Sequence, residues 1–113
     1  METAPTRLQQ LLAFYEEDPS DPFTVYAIAT EYRSAGQQEQ AWQYYNELLT
    51  KHPSYVGTYY HAAKLLAEQG DVTQAEQVYR TGLQTARKAG QMHAASELQQ
   101  ALNQLLGLDY EDD

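Results

Sequence analysis

Residues 22–55, PFTVYAIATEYRSAGQQEQAWQYYNELLTKHPSY, are followed directly by residues 56–89, VGTYYHAAKLLAEQGDVTQAEQVYRTGLQTARKA, and the second segment repeats the pattern of the first. Aligned without gaps, the segments share residues 34 positions apart: Tyr26 and Tyr60, Ala29 and Ala63, Gly36 and Gly70, Ala41 and Ala75, and Tyr45 and Tyr79. A fixed period of this length is typical of proteins built from stacked supersecondary units. Each segment therefore predicts two short amphipathic helices that are joined at its glycine.

The repeated positions resemble the tetratricopeptide repeat (TPR), a helix–turn–helix unit with the same period. The signature positions hold Val25, Ile28, Ala29, Tyr32, Gly36, Ala41, Tyr45 and Pro53 in the first segment, and Tyr59, Ala62, Ala63, Leu66, Gly70, Ala75 and Tyr79 in the second. Two departures stand out. The family's usual tryptophan position holds Val25 and Tyr59, and its small position late in the second helix holds Leu48 and Gly82. The resemblance covers residues 22–86 and implies an all-α fold in which paired helices approach closely.

Further helices are predicted on both sides of the repeats. Residues 3–17 contain a capping box at Thr6 and Gln9 and an apolar stripe, which predicts the second half of an incomplete repeat. Residues 91–106 have a wide apolar stripe without the repeat signature, which predicts a C-terminal capping helix. We therefore expect one all-α domain, a TPR α-solenoid of about six antiparallel helices. Its predicted parts are an N-terminal half-repeat helix (3–17), two full TPR units (22–55 and 56–89), the capping helix (91–106) and an acidic tail (107–113).

Composition argues against several functional classes. The chain has 113 residues, no cysteine and a formal net charge of −9. This charge disfavours nucleic acid and membrane surfaces as partners, because binding to phosphates requires clustered lysine and arginine. The absence of cysteine excludes disulfides and cysteine-based zinc sites. No segment resembles a signal peptide or a membrane span, which predicts a cytoplasmic protein.

No arrangement of catalytic side chains is recognisable. The three histidines, His52, His61 and His93, have no spacing that would place two of them on one helical turn as metal ligands. Gly36 and Gly70 belong to turns and not to a phosphate-binding loop. We therefore predict that the chain is not an enzyme and that it requires no cofactor or metal.

The resemblance implies instead that the first helix of each repeat lines a concave groove, in which residues one repeat apart become neighbours. The predicted groove combines aromatic rings with cationic and polar side chains: Phe23, Tyr26, Thr30, Arg33, Tyr60, His61 and Lys64. Aromatic rings supply contact area at low entropic cost, and cations fix the register of a ligand. We therefore predict a scaffold that binds a protein or peptide partner through an acidic or aromatic anchor.

Two alternatives remain open for the same surface. One is that Tyr26 and Tyr60 cover the capping helix while the neighbouring cations are solvated, so that this helix blocks the groove. The other is a self-assembly module, in which the acidic tail with Leu108, Tyr110 and Asp113 docks into the groove of another copy. The sequence accordingly allows a monomer or a weak homo-oligomer.

Overall fold

The structure, a computed structural model, describes residues 6–108 and contains six α-helices in that range. The helices are α1 Arg7–Glu17, α2 Pro22–Ser34, α3 Gln38–Lys51, α4 Gly57–Glu68, α5 Val72–Lys88 and α6 Met92–Leu105. No strand occurs among the described residues, and the predicted all-α fold class is confirmed. The first residues of the predicted N-terminal helix and most of the predicted acidic tail, including Tyr110 and Asp113, lie outside the described residues.

Side-chain caps define where three of the helices begin. The Thr6 hydroxyl accepts a hydrogen bond from the Gln9 N–H at 3.1 Å, and the Gln9 side chain accepts one from the Thr6 N–H at 2.8 Å. This is the predicted capping box, and it starts α1 at Arg7, later than the predicted residue 3. Asp21 caps α2 and Asp71 caps α5, each by accepting a backbone N–H. Within the described range, no side chain caps α4, which begins at Gly57, the second residue of the predicted unit 56–89.

The turn inside each predicted repeat depends on its glycine. Gly36 follows α2 with φ +77° and Gly70 follows α4 with φ +88°, both in the left-handed region that residues with a Cβ disfavour. In both turns the N–H of the next residue donates to a carbonyl of the preceding helix at 2.9 Å. These bonds satisfy carbonyls at the helix end and direct the chain into the second helix.

The chain divides into two compact units, Met1–Tyr55 and Val56–Asp113, here called the N-terminal and C-terminal units. The predicted bounds of the two repeats, 22–55 and 56–89, stay predictions. In the N-terminal unit α2 packs against α1 and α3. In the C-terminal unit α5 packs against α4 and α6, and α4 also contacts α6.

Helix α2 carries the core of the N-terminal unit. Most of the stripe predicted for α2 and α3 is buried, namely Val25, Ile28, Ala29, Ala41, Tyr45 and Leu48, whereas its other two members, Tyr32 and Leu49, are half-buried. Leu11 of α1 joins Ala27 and Ile28 in a hydrophobic cluster. The Tyr15 hydroxyl donates to the Glu47 carboxylate at 2.9 Å, which ties α1 to α3.

Helix α5 carries the core of the C-terminal unit. The buried apolar side chains of the three helices are Tyr59, Ala62, Ala63, Leu65, Leu66, Ala75, Tyr79, Leu83, Ala86, Ala95, Leu98 and Leu102. At Gly82 helix α5 lies very close to α4, since a methyl group there would overlap the Cβ of Tyr59. The two helices can therefore come this close only where α5 has no side chain.

Membrane-spanning helices and metal-binding clusters can both be assessed within residues 6–108. None of the helices in this range is long and apolar enough to cross a membrane. In the same range, no group of three or more histidine, aspartate or glutamate side chains is arranged to hold a metal ion. The absence of a cofactor and of catalytic activity stay predictions.

Candidate functional site

The predicted groove residues lie on the first helices of the two repeats. Four of them belong to α2 of the N-terminal unit: Phe23, Tyr26, Thr30 and Arg33. Three belong to α4 of the C-terminal unit: Tyr60, His61 and Lys64. Each set forms contacts within its own unit, whereas the predicted pairing between the sets, such as Tyr26 beside Tyr60, stays a prediction.

In the N-terminal unit the ring of Tyr26 packs against two other tyrosines. Its centroid lies 6.4 Å from that of Tyr45, with an interplanar angle of 67°, and 5.7 Å from that of Tyr55, at 54°. The Thr30 hydroxyl donates to the Tyr26 carbonyl at 3.0 Å and lies 3.4 Å from the Tyr45 hydroxyl. Phe23, one turn before Tyr26, is 62% exposed. Helix α2 thus contributes Tyr26 to an aromatic cluster, here called the α2 cluster, and presents the separate exposed ring of Phe23.

The tyrosine hydroxyls of this cluster lie in a partly desolvated environment. Burial raises the pKa of Tyr26 and Tyr45 above the usual value, because it disfavours the charged phenolate. Arg33 lowers the pKa of both groups in part, and it also hydrogen-bonds Tyr45. Both tyrosines are therefore neutral at physiological pH, and Arg33 is engaged by its own unit.

In the C-terminal unit Tyr60 is the centre of the corresponding cluster. Its ring centroid lies 6.4 Å from that of Tyr79 at 70°, which repeats the Tyr26–Tyr45 geometry one repeat later. The His61 ring lies 5.4 Å away at 76°, and the Lys64 Nζ lies 5.8 Å from the Tyr60 centroid, within cation–π range. The three predicted site residues of α4 therefore form one cluster.

An open hollow of about 320 Å³ lies beside Tyr60 in the C-terminal unit. Its apolar lining comes from α4, α5 and α6: Ala67, Tyr79, Ala101 and Leu105. Lys64 and Glu68 supply charges of opposite sign. Helix α6 therefore borders the Tyr60 cluster and leaves space beside it. The positive charge that the sequence predicts for the groove is offset here by the Glu68 carboxylate.

A second hollow, of about 210 Å³, adjoins the first. The two share Tyr60, Ala101 and Gln104. The smaller hollow is otherwise lined by Glu97 and Gln100, so its surface is mainly polar. Along α4 and α6 the two hollows form one surface, here called the α4–α6 surface, with a polar end and an apolar end.

The contribution of α6 is not apparent from the sequence. The pattern of α6 places Gln100 and Gln104 on a solvated face and Ala101 and Leu105 in an apolar stripe, but all four line the α4–α6 surface. The sequence does contain one indication of this shared face. Gln100 and Gln104 are four residues apart, and residues with that spacing lie on the same face of a helix. Which neighbour that face meets depends on packing between α4 and α6.

These features define a helical-repeat protein in which the first helix of each unit carries its own aromatic and polar side chains. A sequence model described as tetratricopeptide repeat matches residues 32–105, which is well over half of the chain. The chain therefore belongs to the tetratricopeptide repeat family. Members of this class typically act as non-catalytic scaffolds for protein interactions, and membership supports such a role here.

Among solved structures, the chain is similar to a tetratricopeptide repeat domain protein from Salinibacter ruber. The two are 38% identical, with 85% of this chain and 97% of that chain covered and a TM-score of 0.76. PcrH, solved in complex with the chaperone binding region of PopD, gives a TM-score of 0.81. It is 20% identical and the similarity covers 88% of this chain and 76% of PcrH, so the likeness concerns the fold.

One curated relative is the tetratricopeptide repeat and J domain-containing co-chaperone DNJ1 of Cryptococcus neoformans. The two chains are 34% identical over 61 residues. The match covers 54% of this chain and 12% of the relative, so this chain spans only a small part of that protein's length. The similarity is therefore that of a shared repeat region.

Proposed function

We propose that the chain is a non-catalytic scaffold that binds a segment of a partner protein, and that the α4–α6 surface is the main contact. The observation that carries this proposal is the larger hollow, where an apolar floor lies next to the ring of Tyr60 and the ammonium group of Lys64. Such a combination provides a seat for one apolar side chain and polar groups that orient it.

The shape of the hollow favours a peptide over a small metabolite. Small-molecule sites enclose most of their ligand, whereas this hollow of about 320 Å³ is open on one side. A peptide seats single side chains and leaves the rest of its surface solvated. Tyr60 suits this role because a rigid ring loses little conformational entropy when it contacts a ligand.

The α2 cluster offers a second contact region in the proposal. Phe23 presents an exposed ring, and Tyr26 and Thr30 are fixed by hydrogen bonds and ring contacts within the unit. Arg33 completes this predicted part of the site. The similar fold of PcrH was solved with a region of another protein, PopD, which is consistent with this kind of partner.

The proposal can be tested with peptides selected from a phage-displayed random library on the immobilised full chain. Selected peptides are synthesised and titrated by calorimetry, with an expected affinity near micromolar, or about −8 kcal/mol. The double variant Tyr60→Ala, Lys64→Glu is expected to weaken binding by at least about tenfold. It removes the aromatic ring beside the apolar floor and reverses the charge at position 64.

Two controls separate binding from folding. Arg80→Glu reverses an exposed cation on α5 that pairs with Glu76 at 2.8 Å outside the α4–α6 surface, and it should leave peptide affinity unchanged. Tyr60→Phe keeps the ring and should retain most of the affinity. Thermal unfolding establishes that each variant is folded. Peptides that bind a folded double variant as tightly as the wild type would exclude the α4–α6 surface as the binding site.

A further inference from the structure

We infer that the partner segment carries a basic side chain, arginine or lysine, next to its apolar anchor, and that Glu97 of α6 receives this side chain. The inference rests on the proposed function, since it specifies the ligand chemistry of the same surface. It departs from the acidic anchor expected from the sequence, because that expectation considered only the first helices of the repeats.

The starting observation is the difference between the two adjoining hollows. The larger one has an apolar floor, and the smaller one presents a carboxylate and two amides, from Glu97, Gln100 and Gln104. Because both hollows share Tyr60 and Ala101, an apolar side chain seated in the larger one places its chain neighbours over the smaller one. The neighbouring residue of the ligand therefore meets the polar end.

The charges at the two ends differ as well. In the larger hollow Lys64 is accompanied by Glu68, so its charge is offset. Among the residues lining the smaller hollow, Glu97 is charged and none is cationic. An acidic ligand group placed there would face a carboxylate, whereas a basic one would be attracted to it.

Glu97 is available for such a partner. Its side chain is 58% exposed, and its Oε2 lies 3.4 Å from the Nε2 of His93, which is 90% exposed. This contact is an ion pair only when His93 is protonated, and exposed pairs four residues apart on a helix are weak. A ligand cation can therefore replace His93 at low cost.

Arginine fits the donor and acceptor pattern of the smaller hollow better than lysine does. A guanidinium group has five N–H donors in a plane and can bind a carboxylate through two of them. Its remaining N–H groups can donate hydrogen bonds to the amide oxygens of Gln100 and Gln104, which line the same hollow. Lysine would keep the attraction but lose the paired geometry.

The overall charge of the chain acts in the same direction. With a net charge of −9, the chain attracts basic segments at long range and repels acidic ones. This steering raises the rate of encounter, and the local contact with Glu97 determines where the cation is bound.

The test uses the selected peptides and the full chain. We expect Arg or Lys to be enriched next to an apolar residue in peptides whose binding depends on Tyr60. Glu97→Gln should weaken the binding of these peptides by about three- to fivefold, and the difference in affinity from the wild type should disappear at high salt. Glu76→Gln is the matched control, since it neutralises a carboxylate of another exposed i,i+4 pair, on α5, and should have no effect.

A charge exchange makes the test specific. Replacing the peptide's basic residue by Glu should weaken binding to the wild type, and Glu97→Lys should restore the affinity of that peptide. Tyr60-dependent peptides that lack basic residues, or that do not distinguish Glu97→Gln from Glu76→Gln, would overturn the inference and leave the proposed function intact. If no selected peptide depends on Tyr60, both the inference and the proposed function are wrong.

Discussion

The two units fill the same positions between their first and second helices in different ways. Val25 and Leu48 occupy these positions in the N-terminal unit, and Tyr59 and Gly82 occupy them 34 residues later. All four residues are buried. A medium and a large aliphatic side chain in one unit thus correspond to an aromatic ring and no side chain in the other. The comparison shows that the repeat maintains the filled space between helices and not the identity of the residues that fill it.

The largest effect on stability is expected when the C-terminal unit receives the leucine of the N-terminal unit. Gly82→Leu would force a side chain into the space that Tyr59 occupies, where even a methyl group overlaps the Cβ of that tyrosine. We expect a loss of about 3 kcal/mol or more in the free energy of unfolding. Urea unfolding followed by circular dichroism measures it, and stability equal to that of the wild type would contradict the close approach.

Transplanting both residues of the N-terminal pair should restore part of the loss. Tyr59→Val keeps the Cβ that a side chain at position 82 would overlap, but it removes the ring atoms beyond it, so in combination with Gly82→Leu it should relieve part of the overlap and the two substitutions should not be additive. We expect the double variant to be about 2 kcal/mol more stable than the sum of the single variants predicts. Additivity in a double-mutant cycle would show that the pair is not coupled.

The threonines at the starts of α2 and α4 give a second contrast. The Thr24 hydroxyl donates to the Asp21 carboxylate at 3.0 Å, whereas the equivalent Thr58 hydroxyl is buried without a hydrogen-bond partner among the described residues. Thr24→Val should therefore destabilise the chain by about 1–2 kcal/mol. Thr58→Val should be neutral or stabilising by up to about 1 kcal/mol. Equal effects of the two substitutions in thermal unfolding would contradict this assignment.

The smallest effect is expected from the tyrosine cluster at alkaline pH. Burial raises the folded-state pKa of Tyr45 above the ordinary tyrosine value of about 10. The resulting stabilisation is fully present below about pH 10 and is lost as the pH rises through the folded-state pKa. Tyr45→Phe removes this titration. The wild type should therefore lose stability relative to the variant as the pH rises above about 10. A difference that stays constant from neutral to alkaline pH would exclude the effect.

Much of the fold could be predicted because its determinants are local. The caps Asp21 and Asp71 and the turn glycines act within a few residues, and α5 ends at Lys88, next to the predicted end of the second unit at residue 89. The start of α4, which has no side-chain cap, is harder to place from the sequence. Tyr55 lies before the helix and packs against Tyr26.

The candidate site was harder to predict because it depends on contacts between helices. The sequence predicted Tyr60 and Lys64 as site residues, but Glu97 and Gln100 line a hollow with Tyr60 only because α6 packs near α4. The buried hydroxyl of Thr58 also escaped prediction, since the equivalent Thr24 bonds to an aspartate that the second repeat lacks. In both cases the residue type is visible in the sequence but its surroundings are not.

The approach of Gly82 to Tyr59 has a mechanical consequence. A shift of α5 along α4 by one residue would bring Thr81 or Leu83 against the Tyr59 ring. The contact between Gly82 and Tyr59 therefore fixes the position of the two helices along their axes. Tyr60 is the next residue on α4, and Tyr79 lies almost one turn before Gly82 on α5. Both rings are thus held in place by the fold itself, which in the proposed function would reduce the entropy lost on association.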